Sequence, residues 1–95
     1  MSETMVARRQ VRRVPFVVRA AKAKEVRVTG DFRDWVKEGI PLSHDGNGEW
    51  RTVLMLEPGE YQYRLLIDGE WKDHGEAAGR VANPFGTENC ILTVR

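Results

Sequence analysis

Turn-forming residues recur so densely along this 95-residue chain that no long regular element fits between them. Gly30, Gly39, Asp45-Gly46-Asn47-Gly48, Pro58-Gly59, Asp68-Gly69, Gly75, Gly79 and Asn83-Pro84-Phe85-Gly86 divide it into short segments, most of them rich in β-branched and aromatic side chains. This spacing predicts an all-β domain with strands at Val14–Arg19, Glu25–Thr29, Glu49–Leu56, Glu60–Asp68 and Asn89–Val94, and a short edge piece at Arg80–Ala82. Helical period occurs only in Ala20–Lys24, which is too short to stand as a helix in water.

Period-two alternation sorts the strands by face. Tyr61, Tyr63, Leu65 and Ile67 share one face and read as core, while Gln62, Arg64, Leu66 and Asp68 share the other. Val26 and Val28 alternate with Arg27, and Trp50, Thr52, Leu54 and Leu56 alternate with Arg51, Val53 and Met55. Turn chemistry predicts two hairpins, one through Leu56-Glu57-Pro58-Gly59-Glu60 and a tight type I′ connection at Asp68-Gly69, giving a three-stranded meander. Five or more short antiparallel strands in a single small domain are expected to pack as an immunoglobulin-like β-sandwich. The expected organisation is a flexible basic tail over residues 1–13, containing Arg8, Arg9, Arg12 and Arg13, followed by the sandwich over 14–95.

Two tryptophans stand out against this framework. Trp35 closes the turn Gly30-Asp31-Phe32-Arg33-Asp34-Trp35, and Trp71 follows Ile67-Asp68-Gly69-Glu70, so each comes just after an apolar strand, where a large ring is hard to bury. A pyranose offers an apolar patch of axial hydrogens that packs on an aromatic face, while its hydroxyls need donors and acceptors at the ring edge. Arg64, on the non-core face of the strand that leads to Trp71, is placed to share that surface. Trp50, in phase with Leu54, reads as core.

The ordered motifs Val26 to Trp35, Pro41-Leu42, Asp45 to Trp50, Pro58-Gly59-Glu60-Tyr61-Gln62-Tyr63-Arg64, Ile67-Asp68-Gly69-Glu70-Trp71 and Asn83-Pro84-Phe85-Gly86-Thr87-Glu88-Asn89 resemble a known family. It is the glycogen-binding domain of the AMP-activated protein kinase β subunit and the early-set modules of branching enzymes and isoamylases, carbohydrate-binding module family 48. The likeness runs from about Phe16 to Val94. It implies an early-set sandwich in which two tryptophans, a lysine, a wedge-like leucine, a threonine and an asparagine hold a glucan. By motif position these fall on Trp35, Trp71, Arg64, Phe85, Thr87 and Asn89. Arginine for lysine keeps the charge and the donors with a different fork geometry, and phenylalanine for leucine keeps an apolar wedge. Asp73-His74-Gly75-Glu76 stands where the family has an Asp-Pro turn.

Other chemistries are poorly served. Glycoside hydrolysis needs two carboxylates about 5–10 Å apart across a cleft, whereas Asp31, Asp34, Asp68 and Asp73 lie in or beside turns. His44-Asp45 and Asp73-His74 lack the ligand count of a zinc site, and a lone histidine in a polar loop is expected to be solvated. Cys90 begins an apolar strand and reads as a packing residue. There is no serine in a nucleophile elbow and no glycine-rich phosphate cradle. The arginine cluster of the tail invites an anionic partner, but no aromatic interleaves with it and the whole chain balances 15 basic against 14 acidic residues, so nucleic acid is not the expected ligand.

The expected function is that of a stand-alone, non-catalytic module without cofactors that binds α-1,4-glucan such as glycogen or maltooligosaccharides, with a dissociation constant of roughly micromolar to millimolar because shallow sites lose contact energy to ordering. The alternative is a protein-interaction module of the same fold, docking on a glycogen-metabolising enzyme or another partner. With no apolar leader at the N-terminus, no membrane-length apolar run and one cysteine, the expected location is cytoplasmic.

Overall fold

A computed structural model describes residues 10–36 and 38–95, and within them the chain is almost entirely strands and turns. In order these are β1 (Arg12–Arg19), β2 (Val26–Gly30), a 3-10 turn (Asp31–Arg33), β3 (Ile40–Pro41), β4 (Ser43–His44), β5 (Glu49–Leu56), β6 (Gly59–Ile67), β7 (Glu70–Lys72), β8 (Gly79–Ala82) and β9 (Glu88–Val94). Two antiparallel sheets result. One has the order β1-β5-β4, and the other β3-β2-β6-β9-β8, with β7 also paired to β6. No helix of the described residues is long and apolar enough to cross a membrane.

The sheets pack face to face on one alternating set of side chains from each long strand, including Tyr63 and Leu65, which alternation assigned inward. Phe16 and Val18 of β1 with Trp50, Leu54 and Leu56 of β5 meet Val26 and Val28 of β2, Tyr63 and Leu65 of β6, and Cys90 and Val94 of β9. Each buried aliphatic contributes roughly 1.5–3 kcal/mol over leaving it exposed, and a one-residue slip of any strand would turn its whole set to solvent. This fixes the register. Trp50 is core, as its phase indicates, and its indole N–H donates to the Ala20 carbonyl at 3.0 Å. Cys90 is fully buried.

Several boundaries and pairings differ from expectation. Arg12 and Arg13 belong to β1, opposite Leu56 and Met55, rather than to a tail; residues 1–9, with Arg8 and Arg9, lie outside the described residues. The turn at Glu57-Pro58 does not close a hairpin. β5 and β6 are in different sheets, because β5 is flanked by β1 and β4 and β6 by β2, β7 and β9, leaving them no common edge. The chain instead arches across the sandwich, so the three-stranded meander is not formed. The Asp68-Gly69 turn is the tight hairpin expected, with φ of 52° and 81° and Ile67 opposite Glu70.

His74 is a further correction. It is 9% exposed, not solvated, and its Nδ1 lies 2.6 Å from the Tyr63 hydroxyl, with the ring tilted against Phe16. Its backbone N–H donates to Cys90 Sγ at 3.4 Å and its carbonyl accepts from Arg80 at 3.0 Å. The loop after β7 is thereby pinned between the sheets. Burial pushes the His74 pKa below its ordinary value and the Tyr63 phenol upward, which favours the neutral form of each. The unfolded chain, with a histidine pKa of about 6.5, takes up the proton first on acidification. The stabilisation is therefore complete above that pH and declines as pH falls below it toward the folded-state value. Urea midpoints are expected to drop between pH 7.5 and 5.5, with a shallower pH slope in His74→Gln; an equal slope in the two proteins would contradict this.

Candidate functional site

The site forms where the ladder on one edge of β6 changes hands. β7 pairs with β6 as far as Lys72 opposite Leu65, and β9 takes over with Cys90 opposite Tyr63. Arg64 sits between the two, on the face turned away from the core. Above it opens a cleft of about 560 Å³ lined by Trp35, Arg64, Trp71, Asn83, Pro84, Phe85, Thr87 and Asn89. All six residues singled out in the sequence come to this one cleft. Arg64 is the single charged side chain among its described lining residues.

Trp35 is delivered by a strained turn. β2 stops at Gly30, and after the 3-10 turn Asp34 and Trp35 adopt φ of 51° and 56°, uncommon for residues other than glycine. Hydrogen bonds hold that geometry. The Trp35 backbone N–H donates to the Gly30 carbonyl at 3.0 Å, and Thr29 Oγ1, fully buried, donates to the Val36 carbonyl at 2.7 Å. The Trp35 indole N–H donates to Asp31 Oδ1 at 3.1 Å, while Asp31 Oδ2 accepts the backbone N–H of Gln62 at 2.9 Å. Beyond the end of β2 that N–H would lose its ladder partner, so the carboxylate completes the edge of β6 and orients the indole at once.

Trp71 comes from the short β7 hairpin, opposite Leu66 and on the same outer face as Arg64. The Arg64 guanidinium lies over its ring, 5.6 Å from the centroid, and makes a long 3.5 Å ion pair with Asp73. Only 17% of the Arg64 side chain is exposed, so it is far from the solvated strand residue its position would suggest. Desolvation strengthens such a cation–π contact, to about 2 kcal/mol at the favourable end.

The opposite wall is organised by Asn83. Its Oδ1 accepts the backbone N–H groups of Phe85 and Thr87 at 3.0 and 3.2 Å, and its Nδ2 donates to Thr87 Oγ1 and Asn89 Oδ1 at 2.8 and 2.9 Å. Asn89 in turn donates to Gln62 Oε1 at 3.0 Å. The turn, closed by Gly86 at φ 84°, holds Phe85 out with 89% of its surface exposed, so that ring does not plug the sandwich. Thr87 and Asn89 already share hydrogen bonds within the wall, and each keeps capacity for a further partner. Sequence reasoning missed Asn83 and Pro84 as lining residues and Asp31 as the support of Trp35. The Asn-Pro-x-Gly turn was the available signal for the first two, since asparagine side chains bond to the backbone two residues on.

Exposed indoles framed by hydrogen-bonding side chains, on the outer face of an antiparallel sandwich, have the chemistry of a carbohydrate-binding module. Residues 14–95 match the family described as the glycogen recognition site of AMP-activated protein kinase, and the chain belongs to that family. It is 38% identical over 72 residues to the 5'-AMP-activated protein kinase subunit beta-1 of Sus scrofa, a match covering 76% of this chain and 56% of that protein. It is 34% identical over 82 residues to the beta-2 subunit of Mus musculus, covering 85% of this chain and 29% of the relative. A third relative is the chloroplastic phosphoglucan phosphatase LSF1 of Arabidopsis thaliana, 32% identical over 81 residues, with 85% of this chain and 14% of the phosphatase covered. The chain thus spans little more than half of the first of these relatives and much less of the others.

Proposed function

We propose that the chain is a non-catalytic module that binds α-1,4-glucan of the glycogen or starch type, stacking sugar rings on Trp35 and Trp71. The observation that carries this reading is the opening of both indoles, 36% and 42% exposed, onto one cleft in which Arg64 lies over the Trp71 ring. The two rings come from separate elements, Trp35 from the turn after β2 and Trp71 from β7, an arrangement suited to a curved ligand such as a helical glucan. Arg64 and Asn89 supply hydrogen bonds to the hydroxyls, Thr87 adds a further polar contact, and Phe85 is an apolar wedge at the rim. The test is titration with maltoheptaose and β-cyclodextrin, followed by tryptophan fluorescence, alongside retardation in gels containing glycogen or cellulose. Saturable quenching and retardation by glycogen alone are expected; no response at millimolar sugar would sink the reading.

A second reading is favoured by the other sheet. Val53 and Met55 are 44% and 55% exposed on its outer face, where Val53 pairs with Pro15. Such a patch suits docking onto a protein, and a glycogen-metabolising enzyme is the partner that the family context suggests. Failure of the sugar titration with the fold intact would leave this as the primary role.

A further inference from the structure

We infer that the outer face of the larger sheet carries a second sugar-binding groove beside the cleft, which takes the next units of the same glucan chain. This rests on the glucan reading above. The groove has a volume of about 190 Å³ and is lined by Asp31, Glu60, Tyr61, Gln62, Val81 and Ile91. Its position follows from strand geometry. Glu60, Gln62 and Arg64 alternate onto one face of β6, and each two-residue step advances by about 7 Å. Arg64 floors the cleft and Gln62 floors the groove, so a chain leaving the first reaches the second within about one or two sugar units.

The two sites also share structure. Gln62 of the groove accepts from Asn89 of the cleft, and Asp31, in the groove wall, is the carboxylate that holds the Trp35 indole. A ligand crossing the Gln62–Asn89 contact therefore stays on one continuous, internally bonded surface.

The chemistry of the groove complements that of the cleft. Val81, on β8, and Ile91, opposite Gln62 on β9, are half-buried and face the same side, giving an apolar floor for the C–H face of a sugar. The exposed carboxylates of Glu60 and Asp31 rise beside it and accept hydrogen bonds from hydroxyls. Asp31 uses one lone pair of each oxygen internally and retains the others. The cleft, by contrast, offers mainly donors through Arg64 and Asn89. A sugar chain whose hydroxyls both donate and accept finds donors at one end of the surface and acceptors at the other.

The consequence is selection for chain length. A net gain equal to one ordinary hydroxyl hydrogen bond corresponds to an affinity increase of about fivefold for a chain long enough to fill both sites. Amide shift mapping on this chain with maltotriose and with maltoheptaose tests it, together with calorimetry on a Glu60→Ala/Val81→Ser double variant. Both sugars are expected to move the amides around Trp71 and Asn89, and maltoheptaose alone those of Val81 and Ile91. The double variant should lose about fivefold for maltoheptaose and nothing for maltotriose. Groove amides that stay still with maltoheptaose while those near Trp71 move, or a double variant that weakens both sugars equally, would overturn the groove and leave the cleft standing. If neither sugar moves the amides near Trp71, the glucan reading itself falls and takes the groove with it.

Discussion

The Trp71→Ala variant is expected to bind maltoheptaose about thirtyfold more weakly than the parent chain, or worse, while remaining folded. Truncating a central aromatic anchor costs about 2 kcal/mol or more, which corresponds to that factor. Here the loss is double. On the proposed reading the ring is itself a platform in the cleft it lines, and it also supports the Arg64 guanidinium lying over it. Without it, Arg64 keeps only the long ion pair to Asp73, too weak to hold a flexible side chain in one orientation. The fold survives because Trp71 lies outside the core on a three-residue strand; uncovering part of Leu66, now 4% exposed, costs about 1 kcal/mol. Calorimetric titration and a thermal melt check both halves. Parental affinity in a folded Trp71→Ala protein would show that the ring is not a platform.

The second large effect falls on stability. Gly30→Ala is expected to destabilise the domain by about 3 kcal/mol or more, because a methyl group there has nowhere to go. A Cβ at Gly30 would stand 2.2 Å from the Gln62 carbonyl oxygen and 2.9 Å from both Cα and Cβ of Tyr63. The cost is one of space rather than of dihedral angle, since Gly30 is extended, with φ at 173°. Relief would require moving the backbone of β6, and Tyr63 is fixed there by its edge contact with Phe16 at 5.2 Å and by His74. The same residue begins the turn that delivers Trp35, so whatever fraction stays folded should also bind sugar less well. A fall in melting temperature of about 12 °C or more is the expected readout. Gly75→Ala is the control, since a Cβ there meets nothing within 4 Å and should leave the melt almost unchanged. Indistinguishable melts for the two variants would refute the packing argument.

How much of this was legible in the sequence depends on how local each cause is. The inward set of β6 and the hairpin at Asp68-Gly69 could be read because period-two alternation and paired positive φ angles are properties of adjacent residues. The arch at Glu57-Pro58 could not, because the same turn chemistry reverses a chain whether or not the flanking strands pair. That choice is made by β1 and β9, distant in sequence. β3 and β4, at two residues each, are too short to show alternation. Within the site, Trp35, Trp71, Phe85, Thr87 and Asn89 were marked by motif position, and Arg64 also by its phase with Gln62. The contact of Asp31 with Trp35 was invisible because it follows from where β2 ends relative to β6. The burial of His74 was hidden for a similar reason, since its partners Tyr63, Phe16 and Cys90 come from three different strands.

The hand-over from β7 to β9 along one edge of β6 makes the intervening chain a detour between two anchored ends. Lys72 and Cys90 are held opposite Leu65 and Tyr63, almost next to one another, whatever the route between them. Closing such an excursion becomes only slightly costlier as it lengthens. The loops on either side of β8 can therefore gain or lose residues without re-registering the sandwich, provided that β8 stays paired with β9 and an anchor such as His74 still plugs into the core. The fold separates a registered frame from a border whose loops can change length, and in this chain that border forms one wall of the cleft.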